Sequence, residues 1–469
     1  MDAYVFQNIS PLDHRYQVSD PDLAAELRMY LSEDAFVRCQ LEVEVALTET
    51  LAARGLCAPE VAQAVRAAAA QVTPAEVYER ERTTRHNIRA LVNAIRDRLP
   101  EAARPYVHFT ATSMDIMDTA RALQYRGVTQ SVLLPRLGGL LETWIALARR
   151  EAETLQIGRT HGQHAVPITF GFAVSEYVAR LGERMERIAQ AAANLRGKMA
   201  GAVGAYNASA LFFPDPDAFE REVLARLGLE PGEHATQIVM PEYVTDYVHA
   251  LVSCFGVLAN FADDMRHLQR SEIGETGEAF DPLQVGSSTM PHKRNPWNFE
   301  HVKSLWKTFM PRMTTVYMDQ ISEHQRDLTN SASSRFVVEV IAGLALAAGR
   351  LRRESERLVV DRAAMARNFA RSKDNIIAEP LYILLASAGH PDAHEAVRRL
   401  TLAAEREGRP LPEIVEEQAE LAPYLGRLSP EQRAVIAEPE RYAGIAARKA
   451  LAVCDRWEER LGRILANKN

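Results

Sequence analysis

A chain of 469 residues, 47% apolar and 25% charged, can bury a large core, and its length predicts two or three domains. Its 55 basic and 62 acidic side chains leave a formal charge of -7 with neither sign gathered into a long run, so nucleic acid and membrane surfaces are disfavoured as partners. With 7% aromatic residues, abundant Ala, Leu, Glu and Arg, and long stretches without turn chemistry, the composition predicts an all-α fold.

Met1 to Tyr16 lack a basic segment followed by an apolar stretch, so no signal peptide is expected, and no apolar run is expected to reach the length of a membrane span. Residues 1–111 read as an N-terminal domain of short helices punctuated by Pro21, Pro59, Pro74, Pro100 and Pro105. Residues 112–364 read as a bundle of long helices. Leu133, Leu134, Leu137, Leu140, Leu141, Trp144 and Ile145 recur at three- and four-residue steps, as do Val174, Tyr177, Leu181, Met185, Ile188, Ala192 and Leu195, and then Tyr247, Leu251, Phe255, Leu258, Phe261 and Met265. Such stripes are core, and several long helices need partners to cover them, so an oligomer is expected. A further helical stretch, Val337 to Leu358, precedes a C-terminal helical domain, 365–469, broken by seven prolines from Pro380 to Pro439. Cys39, Cys57, Cys254 and Cys454 are scattered without metal-like or redox-like spacing, which predicts reduced thiols and a cytoplasmic protein.

Four segments carry chemistry. Gly286-Ser-Ser-Thr-Met-Pro-His-Lys-Arg-Asn-Pro296 packs hydroxyls, a cation and an amide into one loop whose glycine lets the backbone bend and whose prolines limit its collapse. Gly158 to Pro167 sets His161 and His164 three residues apart, a spacing that can also ligate a metal, although no Cys or Glu cluster stands close by to complete one. Glu81 to Asn87 holds Arg85, His86 and Asn87. Thr112 to Ala120 starts with the hydroxyls of Thr112 and Ser113 ahead of acidic residues, a helix N-cap that also favours a carboxylate ligand. Singly, each of these residues would be read as a solvated, capping or hydrogen-bonded side chain.

The 286–296 run resembles the signature loop of the fumarase/aspartase superfamily, which breaks C-N or C-O bonds by β-elimination and usually releases fumarate. Elimination from a succinyl group needs a base for the proton beside a carboxylate, donors for the resulting negative charge, and an acid for the departing nitrogen. The resemblance implies Ser287 as base, His161 as acid with His86 assisting, and Lys293 and Asn295 on the substrate carboxylates. Ser10-Pro-Leu-Asp-His-Arg-Tyr16, Thr236-Gln237-Ile238 and Arg326-Asp-Leu-Thr-Asn-Ser-Ala-Ser-Ser-Arg335 then resemble the adenylosuccinate lyase family over most of the chain. That likeness implies phosphate contacts from Arg15, Tyr16, Ser331 and Arg335, a nucleotide-binding role for Arg326 in the same stretch, and further substrate contacts from Arg85, His86, Asn87, Thr112, Ser113, Thr160 and Gln237. It also implies a small-molecule substrate, a succinylated purine nucleotide. It further implies a homotetramer whose sites draw on three subunits, no cofactor and no metal, and a mobile loop from about Ser271 to Pro296. A phosphate dianion calls for converging Arg forks and hydroxyls, which relatives with small substrates do not need. The chain departs from the family with Asn87 in place of Asp, His14 in place of Gly, and His301 where some members carry Arg. A paralogous lyase or cycloisomerase acting on another succinyl compound is the alternative, followed by a non-catalytic structural relative.

Overall fold

Pro21, Pro59 and Pro74 each open a helix, Pro21–Leu31, Pro59–Ala69 and Pro74–Thr84, because a first-turn position needs no N-H from the residue that fills it. Asp20 and Thr73 accept backbone N-H bonds ahead of two of them, and Ser32 does the same for α1, Glu33–Ala53. All but the first of these helices, with Asn87–Arg96, close an N-terminal core around Val37, Leu41, Leu47, Leu51, Val65, Ile88, Leu91 and Ile95, while Leu23 and Leu27 of Pro21–Leu31 pack into the core of the long helices. The computed structural model describes residues 3–466 except Pro282 and Val285. The loop expected from Ser271 to Pro296 therefore includes two residues outside the described ones.

The long helices follow as the periodicity predicts. They are α2, Ser113–Val128, α3, Leu134–Arg150, α4, Phe170–Ala193, α5, Glu242–Leu268, α6, Trp297–Phe309, and α7, Val337–Glu356. Every residue of the three predicted stripes is buried in one continuous core. Between α2 and α3 the backbone forms a π-helical turn, Thr129–Leu133, just ahead of Pro135, whose missing N-H breaks the regular ladder. The last helix, α8, Ala446–Ala466, adds Val453, Cys454, Trp457, Leu461 and Ile464 to this same core. Ile377, Leu381, Leu385, Val397, Leu411, Ile414 and Leu421 form a separate, smaller core.

Two features differ from the sequence reading. The 155–169 segment, part of an expected all-α fold, forms an antiparallel hairpin of β1, Leu155–Thr160, and β2, Gln163–Thr169, directly ahead of the helix expected to follow it. A second, short pair joins β3, Thr276–Gly277, to β4, Val359–Val360. Two helical spans, Ser113–Arg150 and Glu242–Leu268, also prove long and apolar enough to cross a membrane, contrary to expectation. In each, 61% of the most apolar window is buried inside the fold, so packing in the bundle accounts for the apolarity.

Candidate active site

The signature loop is a tight structure hung between β3 and α6. Asn295 Nδ2 donates to the Gly286 carbonyl at 3.0 Å, and a Cβ at position 286 would collide with the Lys293 carbonyl oxygen. Within this turn the half-buried Ser287 Oγ accepts from the backbone N-H groups of Met290 at 3.1 Å and Thr289 at 3.4 Å. Two N-H dipoles aimed at one hydroxyl oxygen lower the cost of negative charge on it, as a general base made from serine requires. Lys293 is exposed on the same turn. Buried Glu278 anchors the loop's far arm, accepting from Asn298 Nδ2 and the Phe299 N-H, both at 2.9 Å, at the start of α6.

His161 occupies the tip of the β1–β2 hairpin. Thr160 pairs with Gln163, leaving His161 and Gly162 as a two-residue turn with φ of 53° and 74°. Positive φ at both central positions is the I′ pattern that matches strand twist, and Gly162 adopts it without steric cost. The imidazole and Thr160 are therefore exposed. His164 instead has Nδ1 at 2.7 Å from Ser372 Oγ, and burial, then Arg159 and Arg371, pull its pKa below the ordinary histidine value. The hairpin's root is held by buried Glu275, which accepts from Arg159 at 2.5 and 3.0 Å, Gln156 at 2.8 Å and Asn368 at 2.8 Å. Burial pushes the Glu275 carboxyl up, but these donors, Arg159 foremost, hold it below the usual range and hence ionised.

The Arg85–Asn87 and Thr112–Ser113 segments meet. His86 Nδ1 accepts the Arg89 N-H at 3.2 Å, which leaves Nε2 to carry the proton and face Ser113 Oγ at 3.4 Å. Arg85, at φ 50°, is exposed. Asn87 turns inward, accepting the Ile88 N-H at 2.8 Å and donating to Met117 Sδ at 3.5 Å. Thr112 and Asp115 form a reciprocal capping box at the head of α2. A cavity of about 270 Å³ brings Asn87 and Met117 together with Tyr78, Arg121, Ser334 and Arg335.

The loop that delivers Thr112 is strained, with His108 at φ 63° and the β-branched Thr110 at φ 66°. His108 Nδ1 lies 2.7 Å from Glu44 Oε1, a carboxylate with no exposed surface. Burial pulls the His108 pKa down, but the charge and hydrogen bond of Glu44 override it and hold the imidazole above the ordinary value. A raised folded pKa means that this contribution is complete below the unfolded value and is lost as pH rises through the folded one. Thermal melts should therefore show His108→Gln less stable than wild type, with a larger deficit at about pH 6 than at about pH 9.

The remaining residues form two groups. Gln237 N-H donates to the Gln325 carbonyl at 3.1 Å, next to Arg326, whose two terminal guanidinium nitrogens are buried and have no hydrogen-bond partner among the described residues. Asp118 and Asp319 lie within its field. Burial raises both carboxyls above the usual range, and Arg326 is among the groups opposing that rise. Ser331 and Arg335 are exposed on the segment that follows. At the other end, Tyr16 hydroxyl meets His301 Nε2 on α6 at 3.0 Å, with Arg15 beside it. Burial, then Arg350 and Arg15, keep His301 below its ordinary pKa, which favours the neutral ring opposite the Tyr16 hydroxyl. Arg350 donates to Asn298 Oδ1 at 2.5 Å and lies over the Trp297 ring, 5.5 Å from its centroid. Neither the His301 contact nor Arg350 was found in the sequence, since Tyr16 and His301 are 285 residues apart.

Within the chain, then, the structure joins His86 to Ser113, Asn87 to Arg335 across one cavity, Gln237 to the backbone beside Arg326, and Asn295 to the Ser287 turn. Among the described residues, no hydrogen bond links His161 or the Ser287 side chain to any other predicted site residue. Residues 14–307 match a family model described as Lyase, and residues 322–432 match one described as Adenylosuccinate lyase C-terminal. The chain is similar to the adenylosuccinate lyase of Methanothermobacter thermautotrophicus, 34% identical over 459 residues, 96% of this chain and 99% of the relative. It is also similar to the N-acetyl-S-(2-succino)cysteine lyase of Enterococcus italicus, 29% identical over 443 residues, 92% and 94% of the two chains. The crystal structure of the 3-carboxy-cis,cis-muconate lactonizing enzyme from Pseudomonas putida has the same fold, with a TM-score of 0.79, 25% identity, and coverage of 94% of this chain and 100% of that one. With the signature loop, the hairpin histidine and near full-length similarity all in place, the chain belongs to the adenylosuccinate lyase family, a lyase branch of the fumarase/aspartase superfamily.

Proposed function

We propose that the protein is a cytoplasmic, homotetrameric adenylosuccinate lyase, which eliminates fumarate from adenylosuccinate to give AMP and from the succinyl-carboxamide ribotide of purine synthesis. The observation that carries this reading is the Arg326 guanidinium, two of whose nitrogens are buried with no partner among the described residues. A buried cation with open donors is costly until an anion fills the fork, and a substrate phosphate supplies that anion. Arg15, Tyr16, Ser331 and Arg335 complete the phosphate's surroundings. Thr112, Ser113, Lys293 and Asn295 receive the succinyl carboxylates, with Thr160 and Gln237 against the same group, while Arg85 and Asn87 contact the nucleotide.

In this reaction Ser287, ionised within its N-H turn, removes the Cβ proton of the succinyl group. The electron pair collects on the adjacent carboxylate, against Lys293, before the C-N bond breaks. His161 gives its proton to the departing nitrogen, and His86, with its proton on Nε2, assists it. The exposed hairpin tip and the Ser287 turn, unconnected in one chain, fit a site assembled from neighbouring protomers. No cofactor enters this scheme.

A second reading has one specific observation behind it. Asn87 puts a neutral amide, already engaged with Met117 and its own helix, where the family resemblance calls for a carboxylate. A lyase for another succinyl compound, like the N-acetyl-S-(2-succino)cysteine lyase relative, would accommodate that change. A steady-state assay distinguishes the two. Adenylosuccinate is expected to yield AMP and fumarate in equal amounts, whereas fumarate released only from a phosphate-free succinyl compound would overturn the first reading.

A further inference from the structure

Behind the substrate-facing residues lies a charge pair that touches no proposed ligand position. Asp115, on the first turn of α2, has 0% of its side chain exposed, and Lys198, on the glycine-rich segment after α4, has 1%. The Lys198 ammonium donates to Asp115 and, at 3.1 Å, to the Gly201 carbonyl. Asp115 also accepts the Gly201 N-H at 3.3 Å through that oxygen, and the Thr112 N-H at 2.8 Å through its other oxygen. Thr119, one turn along α2, grips the Lys198 backbone from the far side. Its hydroxyl donates to the Lys198 carbonyl at 3.1 Å and accepts the Lys198 N-H at 3.0 Å. The segment's next glycine, Gly204, at φ 80°, lies so close to the 235–236 backbone that any Cβ there would collide with the Ala235 carbonyl oxygen. One residue further, Gln237 begins the contact with Gln325 beside Arg326.

We infer that Lys198 and Asp115 are positioning residues. They lock the α2 head that carries Thr112 and Ser113 to the glycine-rich segment, and through Gly204 to the loop that holds Gln237. Two walls of the site, drawn from separate parts of the sequence, are thereby held at one spacing. The inference rests on the reading that Thr112, Ser113 and Gln237 contact the succinylated substrate. Stability alone is a poor account of such a pair, because burying two charges costs several kcal/mol of desolvation, about what their attraction returns, and an apolar pair of the same shape often does as well. Directionality is what the charges add. One carboxylate orients a helix N-terminus and a loop N-H simultaneously, which an apolar contact cannot do.

The test is the double variant Asp115→Asn with Lys198→Met, which removes both charges while leaving an amide oxygen to cap Thr112. It is assayed on whichever succinyl compound the wild type turns over. Loosened ground-state contacts should raise KM by about tenfold while kcat stays within about threefold and the pH profile is unchanged. A purely structural role would instead lower the melting temperature and the active fraction and leave KM alone, and that result overturns the inference. Should the double variant fail to fold, Thr119→Val, which frees only the Lys198 backbone, decides the matter. A KM rise of about threefold supports the assignment, and an unchanged KM in folded enzyme sinks it. Wild-type inactivity towards adenylosuccinate would contradict the proposed substrate but not this pair, since the two readouts are separate.

Discussion

Ser287→Ala is expected to lower kcat by about 10²- to 10⁴-fold, the range a positioned general base contributes, with KM for adenylosuccinate nearly unchanged. The substitution deletes the one oxygen on which the Met290 and Thr289 N-H groups converge, but leaves Lys293, Asn295 and the loop's Asn295–Gly286 clasp intact. Binding should therefore survive where proton abstraction does not. Isothermal titration with adenylosuccinate, alongside single-turnover kinetics, separates the two. If the alanine variant turned over at near wild-type rate, Ser287 would be excluded as the base, and the N-H pair around it would be no more than a turn motif.

Arg326→Met should produce two effects of opposite sign. Losing a charged hydrogen-bonding partner for the phosphate costs about 1.5–3 kcal/mol, so KM should rise by about 10- to 100-fold. In the ligand-free enzyme the same change removes a buried guanidinium with two unpartnered nitrogens, so the melting temperature should hold or increase. Steady-state kinetics reads the first effect, and differential scanning fluorimetry of the ligand-free enzyme the second. A large loss of stability in the free protein would mean that the guanidinium is structurally satisfied through Asp118 and Asp319. A KM that did not change would remove Arg326 from the phosphate site.

What the sequence revealed depended on how local each determinant is. The three helix stripes were legible because burial imposes a period of 3.6 residues that any long amphipathic helix must show. The Thr112–Asp115 cap was legible for the same reason, as both partners lie within one turn. Ser287 was singled out by the resemblance of its loop, and the bend that brings the N-H groups of Thr289 and Met290 to its hydroxyl is local because they lie only two and three residues away. The β1–β2 hairpin was missed, although His161-Gly162 is a two-residue turn of the right kind, because Gly158 and Pro167 made the flanking strands look like loop. The Tyr16–His301 contact, Glu275 at the hairpin root, and the Lys198–Asp115 pair depend on tertiary packing, and nothing in their immediate neighbours announces them.

The placement of His161 on a two-residue turn between paired strands makes its position a matter of counting. Along a strand successive side chains alternate between faces, and the pairing of this hairpin shifts register once, between Ile157 and Arg159, so a one-residue change of length can be taken up there as a bulge while anywhere nearer the tip it would send a different residue to the apex. Fine adjustment of the proposed proton donor by changes of chain length is thus confined to that irregularity. Other tuning has to come from substitutions around the imidazole, or from whatever surface meets the hairpin's tip.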